Sequence, residues 1–106
     1  MRAFVVALCA CAIALPVQAI SQTAAQQRAY RLTVVCWVVA SHYGNEADAH
    51  RTADALRKMG NAVGYDDARR SRDVTAMASA LGAELRTDPA AMERHRAACR
   101  QLGLVS

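Results

Sequence analysis

The chain has 106 residues, of which 54% are hydrophobic, and its 13 basic and 9 acidic residues give a formal net charge of +4. This length suits one small domain with a modest core. Basic and acidic residues interleave along the predicted helices, a pattern that favours a solvated face and disfavours nucleic-acid binding. The sequence has no Gly-x-Ser-x-Gly, glycine-rich phosphate loop or His-Glu-x-x-His motif, so we do not expect an enzyme.

The N-terminus has the features of a secretory signal peptide. Arg2 supplies positive charge, and residues 3–15 are apolar without interruption. A stretch of this length suits a signal peptide, whereas a membrane-spanning helix needs about 20 residues. Pro16 is expected to end this helix. The alternatives are an uncleaved anchor and lipid attachment within residues 8–11.

Cleavage is predicted between Ala19 and Ile20, because residues 17–19 place a small or branched residue at −3 and alanine at −1. Residues 1–19 are then the signal peptide, and residues 20–106 form one small helical domain. Export predicts a periplasmic, or secreted, protein whose mature form has no membrane span.

Export also reduces the cysteines from four to two. Cys9 and Cys11 leave with the signal peptide, and Cys36 and Cys99 remain. An even pair in a small exported domain predicts one disulfide, within one chain or between two. Two separate buried thiols are the alternative. Zinc would need two further ligands, so we expect no metal and no other cofactor.

The first predicted helix covers residues 23–43. Thr23 has capping-box spacing to Gln26, and Gly44 is the expected stop. Between residues 32 and 40 the segment is apolar nearly all round, which is typical of a helix buried on most sides. We therefore expect this helix to be central. Its apolar stripe contains Leu32, Cys36, Val39 and Tyr43.

The second predicted helix covers residues 46–59, with Asn45 as N-cap and Gly60 as stop. A thin apolar stripe contains Ala49, Ala53 and Leu56. The third predicted helix begins at Asp66 or Asp67, because carboxylates suit a helix N-terminus, and Gly82 is expected to end or bend it. Its stripe contains Val74, Met77, Ala78, Leu81 and Leu85.

The fourth predicted helix has Asp88 as N-cap, Pro89 at the first helical position and Gly103 as stop. Its stripe contains Met92, His95, Cys99 and Leu102. A disulfide would therefore join this helix to the central one. Short connections favour antiparallel neighbours. The predicted fold is all-α, a compact four-helix domain with one disulfide.

The histidines predict no catalytic or metal site. His42 and His50 flank Glu46 at four-residue steps, but Gly44-Asn45 interrupts the helix between them. We expect ordinary pairs of Glu46 with His50 and of His50 with Asp54. His95 shares a face with Cys99, and a disulfide excludes a thiol nucleophile there. His95 is expected in the core or at its boundary.

The best candidate for a contact surface surrounds the densest basic cluster. Tyr65 lies in a predicted turn beside it, and exposed aromatic and arginine side chains are typical of binding hot spots. The candidate residues are Tyr65, Arg69, Arg70 and Arg72. The alternative is a solvated helix face paired with Asp66, Asp67 and Asp73. Tyr30, Trp37 and Tyr43 are expected in the core.

The arrangement of cysteines and helices resembles the periplasmic immunity proteins that neutralise type VI secretion amidase effectors, the Tai4-like family. Those proteins are small, exported and all-helical, with one cysteine in a long early helix and another near the C-terminus. The resemblance covers most of the mature chain as a spacing pattern, at Tyr30, Cys36, Tyr43-Gly44, Asp48-Ala49, Thr52-Ala53 and Cys99. It implies a protein that binds an effector. A small acid-stress chaperone of the envelope is similar to the same degree.

These patterns predict a binding protein of the envelope, an inhibitor or immunity factor that occludes a toxin or peptidoglycan hydrolase. Its expected partner is a protein, and its oligomeric state stays open. An envelope stress chaperone or structural envelope protein is the second hypothesis, and a small hydrolase or metal carrier is the third.

Overall fold

The computed structural model gives a helical backbone from Arg2 onward and describes side chains for residues 23–106. The backbone stays helical through Pro16, so the predicted end of the helix at this residue is wrong: one proline removes a single backbone hydrogen bond, and the helix continues on both sides of it. The signal peptide and its cleavage between Ala19 and Ile20 stay predictions. Four helices follow one another along the chain: α1 (Arg2–Tyr43), α2 (Glu46–Val63), α3 (Asp67–Thr87) and α4 (Ala91–Gln101). Residues 23–106 contain no strand, which confirms the all-α, four-helix fold.

The predicted ends of α1 and α2 are partly wrong. Thr23 lies inside α1 and does not cap it, because no residue just before it breaks the helix. Asn45 caps α2 as expected, since its side chain accepts a hydrogen bond from the Asp48 backbone N–H. Gly60, the predicted stop, stays helical, and Gly64 ends the helix in the left-handed conformation at φ 79°.

The ends of α3 and α4 also differ in detail. Asp66 caps α3 through the Arg69 backbone N–H, and Gly82 neither ends nor interrupts the helix. Asp88 and Pro89 are not the N-cap and first residue of α4, because Ala90 is the N-cap and the helix begins at Ala91. Asp88 instead ends α3, where its N–H donates to the Glu84 carbonyl. Gly103 follows α4 at φ 72°, as predicted for its stop.

Helix α1 is the centre of the fold, as its sequence predicted. Side chains all round its second half are buried: Tyr30, Thr33, Val34, Cys36, Val38, Val39 and Ala40. Each of the other three helices packs against this surface. Six of these seven residues are hydrophobic, and side chains on so many sides of one helix are removed from water only when neighbours cover several of its sides.

Three large hydrophobic residues assigned to the apolar stripes are exposed. Leu32 is 45% exposed, Tyr43 42% and Leu102 51%. Leu32 lies one turn before Cys36, and α4 ends shortly after Cys99, so α4 does not extend far enough to cover Leu32. Tyr43 is exposed because it is the last residue of α1. Leu102 faces solvent because the chain reverses at Gly103, and Leu104 and Val105 pack on the core instead.

The contacts of α1 define the direction of each neighbour. The Tyr30 hydroxyl donates to Asp73, 43 residues away, and Val38 packs with Leu81 at the same offset, so α1 and α3 run in the same direction. Tyr65, just after α2, packs on Tyr30, so α2 runs antiparallel to α1. Arg96 donates to the Tyr43 carbonyl at 2.6 Å, so α4 is also antiparallel.

The face that α2 turns inward is small and partly polar. It contains Asp48, Thr52, Leu56 and Gly60. The Thr52 hydroxyl donates to the Asp48 carbonyl at 2.8 Å and so needs no partner on α1. The predicted stripe of Ala49, Ala53 and Leu56 is therefore displaced: Ala53 is exposed, and only Leu56 belongs to the buried face.

Cys36 and Cys99 form a disulfide within one chain, with their Cα atoms 5.7 Å apart. The bond confirms the predicted pairing and joins α1 to α4. It is buried in a cluster with Ala40 and Val105. Closing a loop with a sequence separation of 63 stabilises the fold by roughly 4 kcal/mol in the chain-entropy model.

The segment of residues 104–106 returns along the disulfide to the start of α2. The Ser106 backbone N–H donates to both carboxylate oxygens of Asp48 at 3.2 Å, and its hydroxyl donates at 2.9 Å. Arg51 lies 3.3 Å from the same carboxylate. These hydrogen bonds, the Ser106 N–H first, hold the pKa of Asp48 below its usual range. The buried charge of Asp48 thus fixes this segment over the disulfide.

Two glycines give a direct test of these backbone assignments. Gly82 lies inside α3, and a methyl group added there meets no atom within 4 Å, so Gly82→Ala should stabilise the protein by up to about 1 kcal/mol. Gly64→Ala should destabilise it by about 1 kcal/mol, because φ 79° is unfavourable for alanine. Urea unfolding of the oxidised variants measures both values. Shifts of the same sign would contradict the assignments.

Candidate functional site

A cluster of two aromatic rings and one ion pair lies where α1, α3 and the α2–α3 connection meet. The rings of Tyr30 and Tyr65 are 5.0 Å apart at an interplanar angle of 80°, an edge-to-face contact. The Arg69 guanidinium lies 4.2 Å above the Tyr65 ring, a favourable cation–π distance. Arg69 Nε also lies 3.1 Å from Asp73 Oδ2. Tyr30, Tyr65, Arg69 and Asp73 are hereafter called the tyrosine–arginine cluster.

Each member of this cluster is placed by a local feature of the sequence. Gly64 turns the chain out of α2, and Tyr65 follows it directly. Asp66 then caps α3, so that Arg69 and Asp73 stand four residues apart on one face of the helix. Tyr30 comes from α1 at the level of Asp73. The cluster is therefore built from three segments.

Tyr30 is the buried member of the cluster. Only 3% of the residue is exposed, and its hydroxyl donates to Asp73 Oδ2 at 2.8 Å. Burial, and then the hydrogen bond to a negatively charged acceptor, raise the pKa of Tyr30 to about 12. The phenol therefore stays neutral and acts as a hydrogen-bond donor to Asp73.

The cluster forms one wall of an open groove between α1 and α3. The volume of the groove is about 410 Å³. Its remaining lining is Gln27, Arg31, Val34, Ala76, Met77 and Ala80. Val34 and Met77 form an apolar floor, and the small side chains of Ala76 and Ala80 leave the groove open to solvent. The groove can accept an apolar side chain, and the cluster offers it aromatic and charged contacts.

The four predicted contact residues do not act together. Tyr65 and Arg69 line the groove, and Arg72 is exposed on α3 one turn before Ala76. Arg70 points to the other side of α3, where it pairs with Asp67 and donates to Asn61 and to the Tyr65 carbonyl at 3.1 Å. Arg70 lies against Gly60 and ties α2 to α3.

The acidic residues expected to neutralise the basic cluster do so only in part. Asp67 pairs with Arg70, and Asp73 pairs with Arg69. Asp66 caps the helix instead. Arg72 forms no ion pair within residues 23–106. One arginine of the cluster therefore stays available to a partner.

The histidines lie apart from the groove. His50 pairs with Glu46 at 3.5 Å, as expected, but the expected pair of His50 with Asp54 is replaced by pairs of Asp54 with Arg57 and Lys58. His95 is half-buried and lies 2.6 Å from Glu84. Residues 23–106 contain no group of three or more histidine, cysteine or carboxylate side chains placed to hold a metal ion.

Comparison with protein-family models, with curated proteins and with solved structures finds no match to this chain. Over the residues whose side chains are described, no helix is long and apolar enough to cross a membrane. The function proposed below therefore depends on the groove and on the sequence.

Sequence reasoning found Tyr65 and Arg69 but missed Tyr30, Arg31 and Asp73 as members of the same site. The spacing of Arg69 and Asp73 was a readable signal, since residues four apart meet on a helix. No local signal connects Tyr30 with Asp73, because their contact spans 43 residues and depends on how α3 packs against α1.

The Tyr30–Asp73 hydrogen bond predicts how stability changes at high pH. The pKa of Tyr30 is 10 in the unfolded chain and about 12 in the folded protein. The contribution of its hydrogen bond to the free energy of unfolding is therefore complete below pH 10 and is lost as the pH rises towards 12. Tyr30→Phe should cost about 1 kcal/mol at neutral pH and remove this alkaline loss. The measurement is the free energy of unfolding from neutral to alkaline pH.

Tyr43→Phe is the matched control, because Tyr43 is exposed and its hydroxyl makes no hydrogen bond within residues 23–106. This variant should keep the alkaline profile of the parent. Equal profiles for the parent and Tyr30→Phe would show that the hydrogen bond to Asp73 does not protect the phenol.

Proposed function

We propose that this protein is an exported inhibitor or immunity factor that binds a toxin or peptidoglycan hydrolase and occludes its active site. The observation that carries the proposal is the open groove bordered by Tyr65 and Arg69. Tyrosine and arginine are enriched at the residues that dominate binding energy, particularly beside a pocket. Such a surface binds a protein without needing catalytic residues of its own.

Two further features support an envelope location. The N-terminal sequence has the composition of a signal peptide, and the two cysteines outside that segment form a buried disulfide. Disulfides persist in oxidising compartments and are rare in the cytosol. A rigid, disulfide-bonded domain also suits an inhibitor, because a preorganised surface loses little conformational entropy on binding.

The test uses the full-length chain with an affinity tag, expressed in its native organism. The tagged protein is purified from the periplasm without reductant, so that its disulfide stays intact. We expect one stoichiometric protein partner. The isolated partner should digest peptidoglycan or be toxic when it is directed to the periplasm, and one equivalent of the purified protein should lower that activity at least about tenfold. Recovery of no partner, or of a partner that neither digests peptidoglycan nor is toxic, would refute the proposal.

Two tyrosine variants connect this activity to the groove. Tyr65→Ala should weaken binding of the partner by about 2 kcal/mol, roughly thirtyfold, because it removes an aromatic hot-spot side chain. Tyr43→Ala removes an exposed tyrosine at the other end of the described part of α1 and should leave binding unchanged. Circular dichroism checks that both variants are folded. Equal binding by the two variants would place the contact surface elsewhere.

An envelope chaperone that responds to acid is the second candidate, and one observation favours it. A single carboxylate, Asp48, holds residues 104–106 over the core cluster of Cys36, Cys99 and Val105. Because the pKa of Asp48 is lowered in the folded protein, its stabilising effect is present at neutral pH and is lost as the pH falls through the folded value. Acid would then release an apolar segment.

Hydrogen exchange of the Val105 and Ser106 amides measures this release. Asp48→Asn should raise exchange at neutral pH, because it removes the charge that accepts both hydrogen bonds from Ser106. Asp54→Asn is the control, since Asp54 is an exposed carboxylate on the same helix. If acid raises exchange but the released form does not prevent aggregation of an unfolded client, the chaperone candidate fails.

A further inference from the structure

The groove carries more positive charge than its neighbours neutralise. Arg31 lines it from α1, and Arg72 is exposed beside it on α3. Within residues 23–106, neither guanidinium forms an ion pair or a hydrogen bond. A pair of exposed arginines at a concave surface attracts an anionic group and raises its rate of association.

Within residues 23–106, one carboxylate lines the groove, and it already has partners. Asp73 accepts hydrogen bonds from Arg69 Nε at 3.1 Å and from the Tyr30 hydroxyl at 2.8 Å. Asp73 therefore neutralises Arg69 and leaves Arg31 and Arg72 without a counter-charge. Three guanidinium groups stand against one carboxylate at this site.

The apolar part of the groove limits what such an anionic partner looks like. Val34 and Met77 form the floor, and Ala76 and Ala80 leave it open to solvent. The volume of about 410 Å³ can accept a large side chain, and the groove is a depression between two helices. A side chain that projects from a protein segment can enter such a depression, whereas the flat surface of a lipid bilayer cannot.

We infer that the groove binds an acidic protein segment, in which an apolar side chain enters between α1 and α3 while flanking carboxylates face Arg31 and Arg72. This inference rests on the proposed function and names the chemistry of the inhibited partner. It assigns to Arg31 and Arg72 the roles of selecting the partner and accelerating its association.

A random peptide library displayed on phage tests the chemistry without knowledge of the partner. The target is the oxidised protein produced from the full-length chain. We expect enrichment of peptides in which aspartate or glutamate flanks an apolar residue. A synthetic peptide of the enriched sequence should bind less tightly when salt rises from about 0.1 M to about 1 M, because the Debye length falls from about 10 Å to about 3 Å.

Charge reversal identifies the arginines responsible. The double variant Arg31→Glu/Arg72→Glu should weaken binding of that peptide at least about tenfold, as reversal replaces attraction by repulsion. The matched control is Arg86→Glu/Arg94→Glu, which makes the same change of net charge at exposed arginines of α3 and α4 that do not line the groove. The control should bind the peptide within about twofold of the parent.

Several results would overturn the inference. These are enrichment of neutral or basic peptides, failure to enrich any sequence, or equal weakening by the two double variants. Binding to phosphatidylglycerol vesicles that competes with the peptide would assign the groove to an anionic membrane surface. If Arg31→Glu/Arg72→Glu still inhibits a captured hydrolase fully, the acidic segment is excluded but the inhibitor function stands. If acidic peptides bind through Arg31 and Arg72 but no hydrolase is inhibited, the acidic segment stands and the inhibitor function is refuted.

Discussion

The burial of α1 is the constraint on which the rest of this structure depends. From Tyr30 to Ala40, α1 presents apolar or small side chains on nearly every side, and a single neighbouring helix can cover only one of them. The chain therefore surrounds α1 with three helices, two antiparallel and one parallel. The groove, the disulfide and the position of residues 104–106 all follow from how those helices share the surface of α1.

The sequence predicts those features of the fold that depend on contacts between residues close together in the chain. The cap at Asn45 and the start of α3 were readable, because a cap is a contact within a few residues. The stop at Gly60 was wrong, because Gly60 stays helical against the Arg70 side chain and a second glycine, Gly64, ends α2 one turn later. The exposure of Leu32 could not be predicted from local sequence either, because it depends on where α4 ends.

The candidate site shows the same division between local and distant contacts. Tyr65 and Arg69 were found because composition and a turn mark them, and their neighbour Asp73 lies one helical turn further on. Tyr30 and Arg31 belong to the site only because α3 lies alongside α1. Helical periodicity predicts which side of a helix is buried, but it does not determine which two sides face each other.

The disulfide has a topological consequence for the groove. Because Cys36 lies in α1 and Cys99 in α4, the covalent ring that the bond closes contains the whole of α2 and α3. A single peptide-bond cut in either connection that flanks α3 would therefore leave the α3 wall of the groove covalently attached to α1. In a compartment with active proteases, one nick would change the connectivity of this protein without releasing any part of the site.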